Sequence, residues 1–294
     1  MSFQVRHIPI YIHYYYSRYM FAKFVKFFQI NNLPIFAMRG GIGDYYIFDI
    51  EDRIIPFDMC LKGVTWASDE MELFVSLCKE KYGYDINDGG VFLDIGANIG
   101  TTSIWMDKKA KGALEIHAFE AVPSTYRLLK ANGALNGDHI IPHNVALSNA
   151  EQELSMFIFP DNNGRNQVVS RENADRFTNE IIKVKAYNLD DYLEREGINY
   201  DDIKYIWMDV EGHEPNIIEG MQKLLSHHRI PIFMEFSPDS ICSEQVKVLQ
   251  GILENIYEKA IAVSTKDGKR QEINIRDIFS YYNEIDEQKN LFLY

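Results

Sequence analysis

The sequence predicts an α/β protein with a Rossmann-like, doubly wound, mostly parallel seven-stranded sheet and an N-terminal appendage of helix and strand. Three observations predict it. From Val91 onward, short apolar runs alternate with amphipathic segments, which is the rhythm of βαβ units. The first run, Val91-Phe92-Leu93, leads into the glycine-bearing turn Asp94-Ile95-Gly96-Ala97-Asn98-Ile99-Gly100. The second run, Leu114–Phe119, ends on Glu120. A carboxylate at the tip of the second strand is placed to accept hydrogen bonds from a ribose diol lying over the first turn. The pairing therefore specifies a nucleoside crevice.

Two units are expected, residues 1–85 and 86–294. In the first, Tyr19, Phe24, Phe27 and Phe28 recur at helical spacing between Arg18, Lys23 and Lys26. Residues 8–30 read as a basic, aromatic helix that covers the main domain or a partner subunit, or else lies on a membrane surface. Pro9 and the basic residues rule out a membrane span there, and no small-residue cleavage site marks a secretory signal. A strand pair follows at Tyr45–Ile50 and Arg53–Asp58. A helix over 68–81 comes next, with Ser68 as N-cap and Asp69 and Glu70 in an acidic first turn.

In the second unit, strands are expected at 91–95, 114–119, 139–145, 204–209 and 230–236. Helices are expected at 101–110, 123–136, 213–226 and 242–256. Leu154–Phe159 and Ile181–Ala186 break the rhythm and read as antiparallel strands. Tyr257–Ser264 and Glu272–Ile275 read as a hairpin around Lys266-Asp267-Gly268-Lys269, with a last strand at 290–294 beside it.

Composition narrows the partners. Formal charge is −13, which disfavours gripping a nucleic-acid backbone. Cys60, Cys78 and Cys242 are odd in number and far apart, as suits reduced, buried thiols in a cytoplasmic protein, with a peripheral place at the inner membrane face if residues 8–30 lie on lipid. A homo-oligomer is compatible with the aromatic N-terminal segment.

The turn chooses among nucleosides. A dinucleotide site wants G-x-G-x-x-G so that a pyrophosphate can sit on the helix N-terminus. Here Asp94 precedes the first glycine, and its charge suits a ligand with a cationic end, such as the sulfonium of S-adenosylmethionine. Asp94, Gly96, Asn98, Gly100 and Glu120 are the expected cofactor residues, with Asn144 toward the adenine and Asp209 at the far end. A side chain forced in at Gly96, as in Gly96→Val, is expected to block the cofactor while leaving the fold intact.

Chemistry is expected past the fourth strand, where Trp207-Met208-Asp209-Val210-Glu211-Gly212-His213-Glu214 crowds ionisable groups together. Transfer to a hydroxyl needs a proton acceptor. His213 is favoured over Asp209 and Glu211 because an unperturbed imidazole titrates near working pH. Asp209 and Glu235 end neighbouring strands and would be the first ligands of a divalent metal, but no ligand spacing here is diagnostic and metal dependence is not expected.

The segments DIGANIG, HAFE, NVALS, NLDDYL and above all WMDVEGHE resemble the FkbM-type methyltransferases over about residues 91–236. The resemblance implies a methyltransferase-type sheet, S-adenosylmethionine as cofactor, and O-methyl transfer to a sugar, polysaccharide precursor or natural-product hydroxyl. It also implies cofactor roles for Asp94, Gly96, Asn98, Gly100 and Glu120, and active-site places for Asp209, Glu211 and His213. One departure is visible: the family commonly has Pro directly after the ribose-binding Glu, whereas Ala121-Val122 intervenes before Pro123 here. The expected acceptor is a nucleotide-linked or surface-polysaccharide sugar. An amine or a natural-product hydroxyl is the alternative within the class, and a nicotinamide-dependent oxidoreductase the alternative outside it.

Overall fold

The computed structural model describes residues 26–294 except 31, 32, 50, 171, 172, 177 and 239. Expectations for residues 1–25 lie outside the described residues. Lys26–Ile30 is a strand (β1) rather than the end of an aromatic helix, and it pairs antiparallel with β2 (Leu33–Arg39). The aromatic KFFQI segment suits a ladder when a partner strand is two residues away. β2 pairs in turn with β3 (Tyr45–Asp49), completing a three-stranded sheet.

The expected strand at Arg53–Asp58 is instead the start of helix α1 (Ile55–Lys62). Pro56 sits in its first turn, where proline's missing N–H costs nothing, and Asp52 accepts the Ile54 N–H at 3.1 Å. Helix α2 (Ser68–Tyr82) has the expected acidic first turn. Its N-cap is Ala67 at φ 58°, with Ser68 already inside the helix.

The main sheet follows the sequence rhythm closely. β4 (Gly90–Ile95), α3 (Thr101–Ala110), β5 (Leu114–Phe119), α4 (Pro123–Leu135) and β6 (Ile140–His143) form its first half. A side sheet interrupts: β7 (Ala146–Ser148), β8 (Gln152–Phe157), β9 (Gln167–Val168) and β10 (Ile181–Asn188), in the order β7-β10-β8-β9. β8 and β10 are antiparallel, as the alternation required.

The second half comprises α5 (Leu189–Glu196), β11 (Ile203–Met208), α6 (Glu214–Glu219), α7 (Gln222–His227), β12 (Ile232–Phe236), α8 (Ser243–Leu253), β13 (Lys259–Ser264), β14 (Arg270–Asn274), α9 (Ile278–Glu284) and β15 (Lys289–Leu293). The helix expected over 213–226 is two helices. The break falls at Gly220, where an added Cβ would sit 3.0 Å from the Ser148 carbonyl carbon, and the Gly220 carbonyl accepts the Asp190 N–H at 3.1 Å.

The strand order is β14-β13-β15-β12-β11-β4-β5-β6. Eight strands are present where seven were expected, because the hairpin places β14 on the outer edge of β13. β15 inserts antiparallel between β12 and β13. β4 is flanked by the parallel strands β5 and β11, so the order in which strands are added reverses there and a crevice opens past the strand ends.

Residues ahead of the sheet share its core. The Phe74 ring of α2 lies 5.8 to 6.4 Å from those of Phe92, Tyr205, Trp207, Phe233 and Phe292. The edge of β3 is satisfied by α4: Asn132 bonds both backbone groups of Ile47, and Asn136 bonds both of Tyr45. Cys78 is buried, as expected of a small apolar side chain, but Cys60 is exposed on α1. Among the described residues no helix is long and apolar enough to cross a membrane.

Candidate active site

A cavity of about 270 Å³ lies past the ends of β4, β5, β11 and β12. The turn after β4 forms its floor. Gly96 and Ala97 donate N–H bonds to the Phe119 carbonyl at 3.1 and 2.9 Å, fastening the turn to β5. Gly96, Asn98 and Gly100 all have positive φ, at 86°, 50° and 91°. Gly96 also lies against the backbone of Asp209, so the turn and the tip of β11 touch directly.

Glu120 is 8% exposed and lines the cavity. Its Oε2 accepts the Asn98 N–H at 3.0 Å, and its Oε1 accepts the Val122 N–H at 2.7 Å. The carboxylate thus faces the cavity with each oxygen already oriented. Burial pushes it up to about 7, against the pull of the two backbone donors. The departure after Glu120 leaves this geometry whole, because Val122 supplies its N–H.

Three expected cofactor residues, Asp94, Gly100 and Asn144, do not line the cavity; Gly100 is the N-cap of α3. Asp94 is fully buried beneath the turn and does not line the cavity; it accepts from the Ser103 hydroxyl, and its Oδ1 has no hydrogen-bond partner. Burial, with Asp209 adding to it, raises Asp94 to about 7. Asn144 is also off the cavity wall. Its amide donates to the carbonyls of Glu120 and Ala121 at 2.9 and 3.1 Å, so it braces the loop where an adenine contact was expected.

Past β11 the chain brings Asp209, Glu211 and His213 to the cavity, as the spacing implied, and Glu235 joins them from β12. Glu211 reaches inward from a left-handed backbone, φ 54°. Ligand oxygens of Asp209, Glu211 and Glu235 lie within 4.8 Å of one another. Burial raises Asp209 and Glu235, and burial plus Asp209 and Glu214 raises Glu211 to about 8, with Arg165 opposing.

His213 does not sit near neutrality as an unperturbed imidazole would: burial lowers it to about 4. Its Nε2 lies 3.0 Å from the Ser148 hydroxyl. The ring is therefore neutral at working pH and a weaker base than its residue type suggested. Glu214, expected as a helix-start acid, is in the first turn of α6 and fully buried, where its Oε1 accepts the Val210 N–H at 3.1 Å.

Sequence reasoning missed the outer wall. Ile54, Ile55 and Trp66 reach the cavity from ahead of the sheet, Asn162, Asn163 and Asn166 from the loop between β8 and β9, and Gln288 from just before β15. A backbone bond joins two of these segments: the Arg53 N–H donates to the Asp161 carbonyl at 3.0 Å. No motif marks such residues, because they are assembled from loops.

The cavity fits the adenosine and sulfonium of S-adenosylmethionine: a backbone-lined turn, an oriented carboxylate for a diol, and an acidic far end for a cation. The comparisons agree. A family model described as the methyltransferase FkbM domain matches residues 94–259. The chain is 24% identical over 176 residues to the 31-O-demethyl-FK506 methyltransferase FkbM of Streptomyces tacrolimicus, covering 51% of this chain and 66% of that protein. It is 26% identical over 141 residues to the hexuronic acid methyltransferase AglP of Haloferax volcanii, covering 48% and 54%. The chain thus spans between about half and two thirds of the length of these curated relatives. Among solved structures, the methyltransferase FkbM of Methylobacillus flagellatus aligns with TM-score 0.45 and 17% identity, over 70% of this chain and 44% of that one. With more than half its length matched, including the turn, Glu120 and the acidic tip of β11, the chain belongs to the FkbM methyltransferase family, whose cofactor is S-adenosylmethionine.

Proposed function

We propose that the protein is an O-methyltransferase acting on a hydroxyl of a sugar, carried on a nucleotide or in a surface polysaccharide. The observation that carries this reading is the make-up of the outer wall: Trp66 together with the amides of Asn162, Asn163, Asn166 and Gln288. Amides bond hydroxyls in either direction, and an indole offers a flat apolar face to a pyranose ring. The relative named for hexuronic acid supports a carbohydrate acceptor.

S-adenosylmethionine supplies an electrophilic methyl carbon on a positively charged sulfur. Glu120 holds the ribose diol, and Gly96 and Ala97 allow the close backbone approach. Asn98 holds Glu120 through its N–H, and Gly100 starts the helix behind the turn. Asp209, Glu211 and His213 would receive the acceptor and hold its hydroxyl where the bound cofactor would supply the methyl group. The hydroxyl proton would pass to one of these carboxylates, whose proton affinity burial raises above the ordinary carboxylate range. His213, neutral and tied to Ser148, orients the acceptor.

The test is transfer of a tritiated methyl group from S-adenosylmethionine to a panel of sugar nucleotides, oligosaccharides, amines and macrolide alcohols. Label in an alkali-stable ether of a sugar is expected. Label on nitrogen alone, or on no sugar, overturns the acceptor assignment. Stabilisation by NAD but not by S-adenosylhomocysteine in a thermal melt overturns the cofactor.

A further inference from the structure

A line of hydrogen-bonded side chains runs behind the cavity on one face of β5, β6 and α5. Glu115, His117 and Phe119 alternate along β5 and so share that face, and His143 of β6 stands directly opposite Phe119. His117 Nε2 lies 2.8 Å from Glu115 Oε1, and His117 Nδ1 lies 2.9 Å from His143 Nε2. His143 Nδ1 lies 3.1 Å from the Tyr192 hydroxyl of α5. His117, His143 and Tyr192 are buried, whereas Glu115 opens to solvent.

The ends of the line fix the direction of every bond. A carboxylate accepts, so His117 Nε2 carries the hydrogen. Burial, with His117 adding to it, pushes His143 down to about 4, so its ring is neutral at working pH. With His117 neutral too, its Nδ1 accepts; His143 Nε2 then donates, and His143 Nδ1 accepts from the Tyr192 hydroxyl. The His143 ring cannot turn without leaving buried polar atoms unpaired. That ring also meets the cavity wall twice. Phe119, which lines the cavity, stacks on it with centroids 4.7 Å apart at 16°, and Tyr192 stands edge-on to both rings. The His143 carbonyl accepts the Glu120 N–H at 3.0 Å, and the Phe119 carbonyl holds the N–H groups of Gly96 and Ala97.

We infer that His143 is a positioning residue for the nucleoside half of the cofactor, held with its hydrogen on Nε2 by the line from Glu115 through His117 to Tyr192. It acts through Phe119 and Glu120 and touches no reacting atom. Its ring sets the Phe119 ring at the cavity wall, and its carbonyl sets the strand end from which Glu120 projects. The inference rests on the reading of this cavity as the S-adenosylmethionine site.

The experiment pairs a spectroscopic signature with calorimetric titration of the full chain by S-adenosylhomocysteine. Long-range proton–nitrogen NMR on histidine labelled in its ring nitrogens, at about pH 8, should show His143 protonated on Nε2, its signal assigned by its loss in His143→Phe. A hydrogen on Nδ1 instead overturns the inference. His143→Phe keeps a ring under Phe119 but breaks both bonds, and affinity should fall about tenfold or more. Tyr192→Phe removes one hydroxyl, and affinity should fall about threefold or more. Tyr257→Phe is the control. It removes a comparable buried hydroxyl bond, to the Ile230 carbonyl at 2.6 Å, just before β12 at the end away from Glu235, and affinity should not change. Wild-type affinity in folded His143→Phe, checked by circular dichroism, overturns the inference, as does a loss in Tyr257→Phe equal to that in Tyr192→Phe. If His143→Phe does not fold, Tyr192→Phe takes its place under the same criterion. Glu120→Gln keeps the two readings apart. Unchanged affinity there removes the cavity reading and the positioning role with it, whereas a loss there without one in His143→Phe or Tyr192→Phe removes the positioning role alone.

Discussion

Replacing Gly96 by Ala should damage the fold and the site together, and the structure gives the size. An added Cβ would lie 2.8 Å from the Asp209 carbonyl carbon, nearer still to its oxygen, and 3.1 Å from Val210 Cγ1. Neither neighbour is the loose end of a flexible side chain. The Asp209 N–H is bonded to the Ile95 carbonyl at 2.9 Å, and the Gly96 N–H to the Phe119 carbonyl at 3.1 Å, so both backbones are pinned. Relief requires the turn and the tip of β11 to separate by roughly 1 Å, the usual scale of an overpacking penalty of about 1–3 kcal/mol. Holding a side chain at φ 86° adds about 1–2 kcal/mol. The total, about 2–5 kcal/mol, is a large part of a domain's stability. A shift of about 1 Å between turn and Asp209 should also cost about a hundredfold in turnover. Chemical denaturation with circular dichroism measures the first quantity, and calorimetry with S-adenosylhomocysteine shows whether the cofactor still binds. Gly96→Val should be worse on both counts, contrary to the expectation from sequence that the fold would survive it. A Gly96→Ala protein with unchanged stability and cofactor affinity would refute the reasoning.

Glu120→Gln leaves one amide oxygen to serve two N–H donors and a diol, so S-adenosylhomocysteine affinity should fall about tenfold or more by calorimetry; unchanged affinity takes Glu120 out of the site. The metal-free, cofactor-free protein should lose stability as pH rises from about 6.5 to 8. Asp94 and Glu120 are raised to about 7 by burial, so the folded state holds protons there that the unfolded state has released, while His143 and His213, lowered to about 4, are neutral in both states above 6.5. Melting in EDTA across that range checks the sign, and Glu120→Gln should flatten the slope; a melting temperature that rises with pH contradicts it. His213→Ala should lower kcat about tenfold or more with little change in cofactor affinity, and the wild-type profile should show no break near 6.5; such a break, lost in the variant, would restore His213 as the titrating base. Trp66→Ala should raise KM for the sugar acceptor with cofactor affinity unchanged, and an unchanged KM would remove the indole from the acceptor wall.

The turn after β4 and the carboxylate past β5 are local in sequence, and for that reason they were readable. A buried strand, a turn that needs positive φ at fixed positions, and a carboxylate at the next strand's end are each set by a handful of adjacent residues. The parallel sheet followed from the period of the apolar runs, because strand and helix periodicities cannot be exchanged. Ambiguity arose where a local pattern was short. Arg53–Asp58 read as a strand but runs into a helix that starts at Ile55, and β14 joined the sheet as the outer strand of the hairpin. Tertiary structure decided everything that depends on burial or on meeting at a distance. It moved His213 to about 4 and Glu211 to about 8, since a titration point is fixed by the surrounding dielectric and charges and not by residue type. It turned Asn144 to its own loop and placed Asp94 under the turn. It gathered Asp209, Glu211 and Glu235 within 4.8 Å, and it built the outer wall of the cavity from loops before, within and after the family domain, whose residues carry no pattern until the chain has folded.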